Sequence, residues 1–207
     1  MQEPYLETGF VRLCFERLFT LIVLNLLFVL SCIPLLTIPA AIIALSRACQ
    51  ASLMDEKEIF RKYYRCLRMN LLQSLPIGVI FVIGPMAVLY SSMFYYQLSE
   101  GNGASIVLSV FCFVSIYLLF SIGIFAFQML ARVELKGIEI VKNAIYLTFQ
   151  YPKIVFGWIL VAFFIAAAVW GLFPYSLPWL LLLGVSLPCF VATRGVLPVI
   201  NSIIVKE

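Results

Sequence analysis

The chain has 207 residues, of which 64% are apolar and 12% charged, with a formal net charge of +4 and no histidine. That composition lies far from the soluble average, and the uncharged runs reach the ~20 residues that a helix needs to cross a bilayer. It predicts an all-α, polytopic membrane protein in one membrane domain over residues 1–207; the basic residues sit in segments beside apolar runs, as orientation signals do, so no nucleic-acid partner is expected.

The first run, FTLIVLNLLFVLSCIPLLTIPAAIIAL from Phe19 to Leu45, carries no charge over 27 residues. It is longer than the ~7–15-residue core of a secretory signal, and SRACQASLMD after it leads into a charged segment, so it reads as a retained span over about 18–45. As one helix it would be ~40 Å long against a hydrocarbon core of ~30 Å. A bend is therefore expected, and Pro34 and Pro39 place it, with a helix restarting at Pro39 in its first turn, where proline is tolerated. Thr37, between the prolines, can bond a backbone group that the break frees, and Asn25 can tie the span to a neighbour. The alternative is a stretch that re-enters, which leaves four full spans.

Four more uncharged runs, at about 71–98, 104–131, 154–172 and 177–193, bring the expected spans to five. The connectors Ser99–Gly103 and Phe173–Pro178 hold no Lys or Arg and predict two hairpins. Arg47, Lys57, Arg61, Lys62, Arg65 and Arg68 fall in the first long connector, and Arg132, Lys136, Lys142 and Lys153 in the second. The positive-inside rule makes both cytoplasmic, together with the C-terminus that carries Arg194 and Lys206. A single crossing of the first run then puts the N-terminus outside, in spite of Arg12 and Arg17.

Both basic segments have helical amphipathic periodicity. Ile59, Phe60, Tyr63, Tyr64 and Leu67 recur on one face of the first, opposite Lys57, Arg61, Arg65 and Arg68; Ile138, Val141, Ile145 and Phe149 recur in the second. Each runs 18 positions from a glutamate to a proline that opens the next span, Glu58 to Pro76 and Glu134 to Pro152. The pattern predicts a unit of amphipathic helix, span, outer turn and span, used twice. Tyr63, Tyr64, Arg65, Arg68, Lys136 and Lys142 are the candidate contacts, either with lipid headgroups or with a protein partner.

Little chemistry is available between the span ends, where there is no Asp, Glu, Lys, Arg or His. The six cysteines lack metal-ligand spacing, so no metal or cofactor is expected and the thiols read as packing residues. Gln128 and the scattered serines read as helix-to-helix hydrogen bonders. Nothing brings nucleophile, base and orienter together, so no enzyme is expected.

The order Asn25-Leu26-Leu27-Phe28, Pro34, Thr37, Pro39-Ala40 and Ala44-Leu45, then Tyr63-Tyr64-Arg65-Cys66-Leu67-Arg68-Met69-Asn70, resembles the YesL family of small bacterial membrane proteins, a domain of unknown function. Phe28 stands where that family has tryptophan, Ile38 where glycine commonly precedes the second proline, and Leu67 where an aromatic is usual. Genes of the family commonly neighbour those of carbohydrate ABC importers. The resemblance therefore implies a non-enzymatic accessory subunit in the bacterial cytoplasmic membrane, in contact with permease and ATPase subunits; the alternative is a small stand-alone transporter or channel.

Overall fold

The structure is a computed structural model in which residues 10–97, 103–132, 137–172, 175 and 177–204 are described. All regular structure among them is helical. Helix α1 spans Phe10–Ser31 and is followed by a 3₁₀ turn at Leu35–Thr37 and helix α2, Ile38–Leu53. Pro34 is extended, as a residue outside a helix should be, and Pro39 sits in the first turn of α2, where its missing N–H costs nothing.

The prolines reverse the chain rather than bend it. Arg17 of α1 pairs with Asp55 just beyond α2, while at the other end the Thr37 hydroxyl donates to the Ser31 carbonyl. Arg17 and Ser31 lie about 21 Å apart along a helix, so ties at both ends require α1 and α2 to run antiparallel. The expected single bent span over 18–45 is thus a hairpin. The start of α1 lies beside Asp55, at the turn that leads into α3. Two helix breakers separated by four residues free enough backbone for a full turn, and Thr37 satisfies part of it by donating also to the Pro34 carbonyl at 2.6 Å.

A tight turn with Asp55 and Glu58 at positive φ leads to α3, Ile59–Met69. Glu56 holds that turn closed, accepting from Arg47 at 3.0 Å and Lys62 at 2.7 Å. Helix α4 is continuous from Ser74 to Gln97, with a π-helical segment at Val79–Ile83. Pro85 follows that segment and cannot donate to the Phe81 carbonyl, so the widened turn absorbs the missing bond. Helix α5, Gly103–Leu130, returns beside α4: Ser92 and Ser109 meet hydroxyl to hydroxyl at 3.3 Å, and Gly123 lies close against Phe81.

Helix α6, Gly137–Gln150, is bent by 82° from the run that follows. That run, α7, comprises Pro152–Ile154, a second π segment at Val155–Ile159, and Leu160–Gly171. The offset between Pro76 and Pro152 is also the offset between the two π segments. Repetition read from a glutamate and a proline thus extends to a backbone irregularity. The chain closes with α8, Leu177–Leu182, and α9, Ser186–Ile204, so the expected fifth span over 177–193 is interrupted near Gly184.

Helices α2, α5 and α9 run in the same direction at the centre. Ser46 meets Cys189, Gln50 meets Gln128, which meets Thr193, and Arg132 reaches both Met54 and Asn201, so rising numbers match on all three. Ala40, Ala41, Ala44, Ala48 and Ala51 of α2 are fully buried, and small side chains of this kind let helices approach closely. Among the described residues, Leu35–Leu53, α4 and α5 are long and apolar enough to cross a membrane, and the bent α6–α7 pair would make a fourth. Of the remaining stretches expected to span, Arg17–Ser31 is shorter, and α8 and α9 are separate helices.

Candidate functional site

Two groups of side chains stand out, one buried and one exposed. The buried group lies where α2, α5 and α9 meet. Gln50 donates from Nε2 to the Gln128 carbonyl at 2.9 Å and to its Oε1 at 2.7 Å. Gln128 donates in turn to the Thr193 hydroxyl, which donates to the Cys189 carbonyl at 2.7 Å. One helical turn along, the Ser46 hydroxyl lies 3.8 Å from the Cys189 sulfur, against which the Cys49 thiol also packs. All these polar side chains are at most 2% exposed except Cys189, which is half-buried.

Asn25 works at the end of this group. It donates to the Leu181 carbonyl at 2.8 Å, and its Oδ1 accepts from the Val185 and Ser186 amides at 3.1 and 3.0 Å. Those amides open α9 and have no partner within the helix, so a side chain of α1 caps a helix distant in sequence. Arg194 of α9 is buried with its guanidinium over the Trp158 ring, 5.4 Å from the centroid. Gly195 makes this possible, since a Cβ there would stand 2.5 Å from the Trp158 Cβ.

A cavity of about 240 Å³ opens beside the buried group, between α2, α4, α5, α7 and α9. Ser46, Gln128 and Cys189 form its polar wall; Phe81, Phe120 and Ala166 lie at its half-exposed rim. A second cleft, of about 450 Å³, occupies the crook of the α6–α7 bend and is apolar except for Tyr117 and Thr148, whose hydroxyls bond the Val155 and Ala144 carbonyls.

The exposed group belongs to α3. Tyr63 and Cys66 point inward, and burial pushes the Tyr63 hydroxyl up to about 12, so it remains the proton donor in its 3.0 Å bond to Ser31. Tyr63 is therefore not available as a surface contact, although the sequence pattern grouped it with Tyr64. Tyr64, Arg65 and Arg68 are exposed, beside Phe60 and Met69. Arg61 is held by Glu58 and Lys62 by Glu56, whereas Arg65 and Arg68 meet no acid among the described residues. Lys142 is exposed on α6, and Lys136 lies outside the described residues.

Gln50, Ser46 and Thr193 escaped the sequence reading. Ser46 and Gln50 fall in SRACQASL, whose single arginine made it look like the start of a cytoplasmic connector. Small residues at helical spacing, Ala44, Ala48 and Ala51, are the available signal for a tightly packed helix.

These features define a class: a helical protein with several helices apolar enough to cross a membrane, whose central helices are joined by hydrogen bonds between buried polar side chains. Residues 21–93 match the family described as "Protein of unknown function, DUF624". The match covers α2, α3, the second half of α1 and most of α4. No curated protein and no solved structure matches the chain.

Proposed function

We propose that the chain is a non-enzymatic accessory subunit that packs beside the permease of a carbohydrate ABC importer, with α3 as its docking surface. The YesL-like order of residues from Asn25 to Asn70 supplies the family reading and falls within the matched segment. The observation that carries the docking surface is the outer face of α3, where Tyr64, Arg65 and Arg68 project together and the two arginines have no acidic partner among the described residues. Aromatic and arginine side chains are the types that dominate interface energetics.

In this reading the protein lies in the bacterial cytoplasmic membrane with the Asp55–Glu58 turn that opens α3 and the C-terminus cytoplasmic. Arg17 lies at that turn through its pairing with Asp55, so the N-terminal end of α1 is cytoplasmic as well. Affinity purification from native membranes, read by mass spectrometry, tests the proposal. Permease and ATPase subunits are expected with the wild type and lost with the triple variant Tyr64→Ala, Arg65→Gln, Arg68→Gln. If the wild type enriches neither subunit, the proposal is overturned.

A further inference from the structure

The cavity beside the polar centre plays no part in docking through α3. Its wall has one polar end and one apolar end. At the polar end, Ser46 is 2% exposed, and its hydroxyl meets only the Cys189 sulfur, a weak partner at 3.8 Å. Buried polar groups are ordinarily paired, so this end retains hydrogen-bonding capacity that the protein does not use.

At the apolar end, Phe81 of α4, Phe120 of α5 and Ala166 of α7 are half-exposed, and the opening lies between helices that are apolar enough to span a membrane. Such an opening faces lipid rather than water. Water fits the polar end alone; the rest of the cavity, walled by Phe81, Phe120 and Phe127, offers it no hydrogen-bond partner. A lipid tail would leave the polar end unused.

We propose that this cavity binds a small, bilayer-soluble molecule that carries a single hydroxyl, with the hydroxyl against Ser46 and the apolar body against Phe81 and Phe120. At about 240 Å³ it is smaller than the ~300–1,000 Å³ of drug-sized sites, so the occupant is a single ring or a short chain. Entry is lateral, from the bilayer.

The half-buried Cys189 thiol in the wall reports occupancy. The full chain in lipid nanodiscs is treated with methyl methanethiosulfonate, and modification of each cysteine is followed by mass spectrometry, with 4-hexylphenol or hexylbenzene as probe. 4-Hexylphenol is expected to slow modification of Cys189 at least fivefold, hexylbenzene much less, and neither to affect Cys112 on α5. Ser46→Ala removes the difference between the two probes. Ala166→Phe, at the rim, removes protection while leaving thermal unfolding unchanged. Equal protection by both probes in the wild type, protection of Cys112 to the same degree, or protection that survives Ala166→Phe overturns the proposal. None of these outcomes bears on docking through α3.

Discussion

Helices α2 and α4 both look like spans by composition, yet the protein treats them oppositely. In Leu35–Leu53, 67% of the most apolar stretch is buried; in α4 the figure is 17%, although α4 is the more apolar of the two. In water that ordering would be perverse. In a bilayer, lipid tails solvate leucine and phenylalanine as well as a protein interior does, so apolar surface alone gives no reason to bury a helix. What requires burial is polarity, and what rewards it is close packing. Helix α2 carries Ser46, Gln50 and Ser52 among five buried alanines. Helix α4 beyond its π segment has Ser92 as its buried residue and turns Met86, Tyr90, Met93 and Phe94 outward.

The strongest way to break the comparison is at the first turns of α4, where it packs against α2. Gly78 lies so near the Pro39 ring that a Cβ would overlap it. Gly78→Leu is therefore expected to cost about 3 kcal/mol or more by forcing α2 and α4 apart. Gly84, six residues on, faces open space, and Gly84→Leu should leave stability within ~0.5 kcal/mol. Reversible unfolding in mixed detergent micelles reads both, and equal effects would show that the two halves of α4 are not distinct.

Next in size is Gln128→Leu. It removes the acceptor side chain for Gln50 and the donor for Thr193, and leaves buried polar atoms unpaired, for an expected loss of about 2 kcal/mol. Ser92→Ala on α4 breaks only a long hydroxyl contact and is expected to cost no more than ~0.6 kcal/mol. A loss for Ser92→Ala as large as that for Gln128→Leu would contradict the polar-centre account.

The smallest effect tests the turn that sends α2 into α3. Burial alone would raise the Glu56 carboxyl, but the Lys62 hydrogen bond and the Arg47 charge bring it below the usual carboxylate range on balance. A carboxylate with a depressed folded pKa contributes stability above its unfolded value, near pH 4, and loses it as pH falls through the folded value. The group is partly solvated, so the contribution is under about 1 kcal/mol. Glu56→Gln should abolish that part of the acid destabilisation below pH 4, and an unchanged acid limb would mean that the ion pairs contribute nothing.

Much of the fold is legible in the sequence. The runs at 71–98 and 104–131 coincide closely with α4 and α5, since each is an uninterrupted apolar helix and hydropathy measures just that. The repeat from Glu58 to Pro76 and Glu134 to Pro152 pointed to α3 and α6 as equivalent pieces. The two prolines signal a break but not its sense. A helix interruption reads the same whether the chain continues or reverses; Arg17 and Asp55, 38 positions apart, decide it.

The sequence by itself determined the class: apolar runs and charge placement follow from the cost of burying polar groups in hydrocarbon, and that cost is local to each residue. Which helices stand at the centre was decided only by the tertiary structure. Gln50, Gln128 and Thr193 are separated by 78 and 65 positions, and each needs the others to be satisfied in a medium without water. A hydrogen bond across three helices is a property of their arrangement, and no window along the chain contains it.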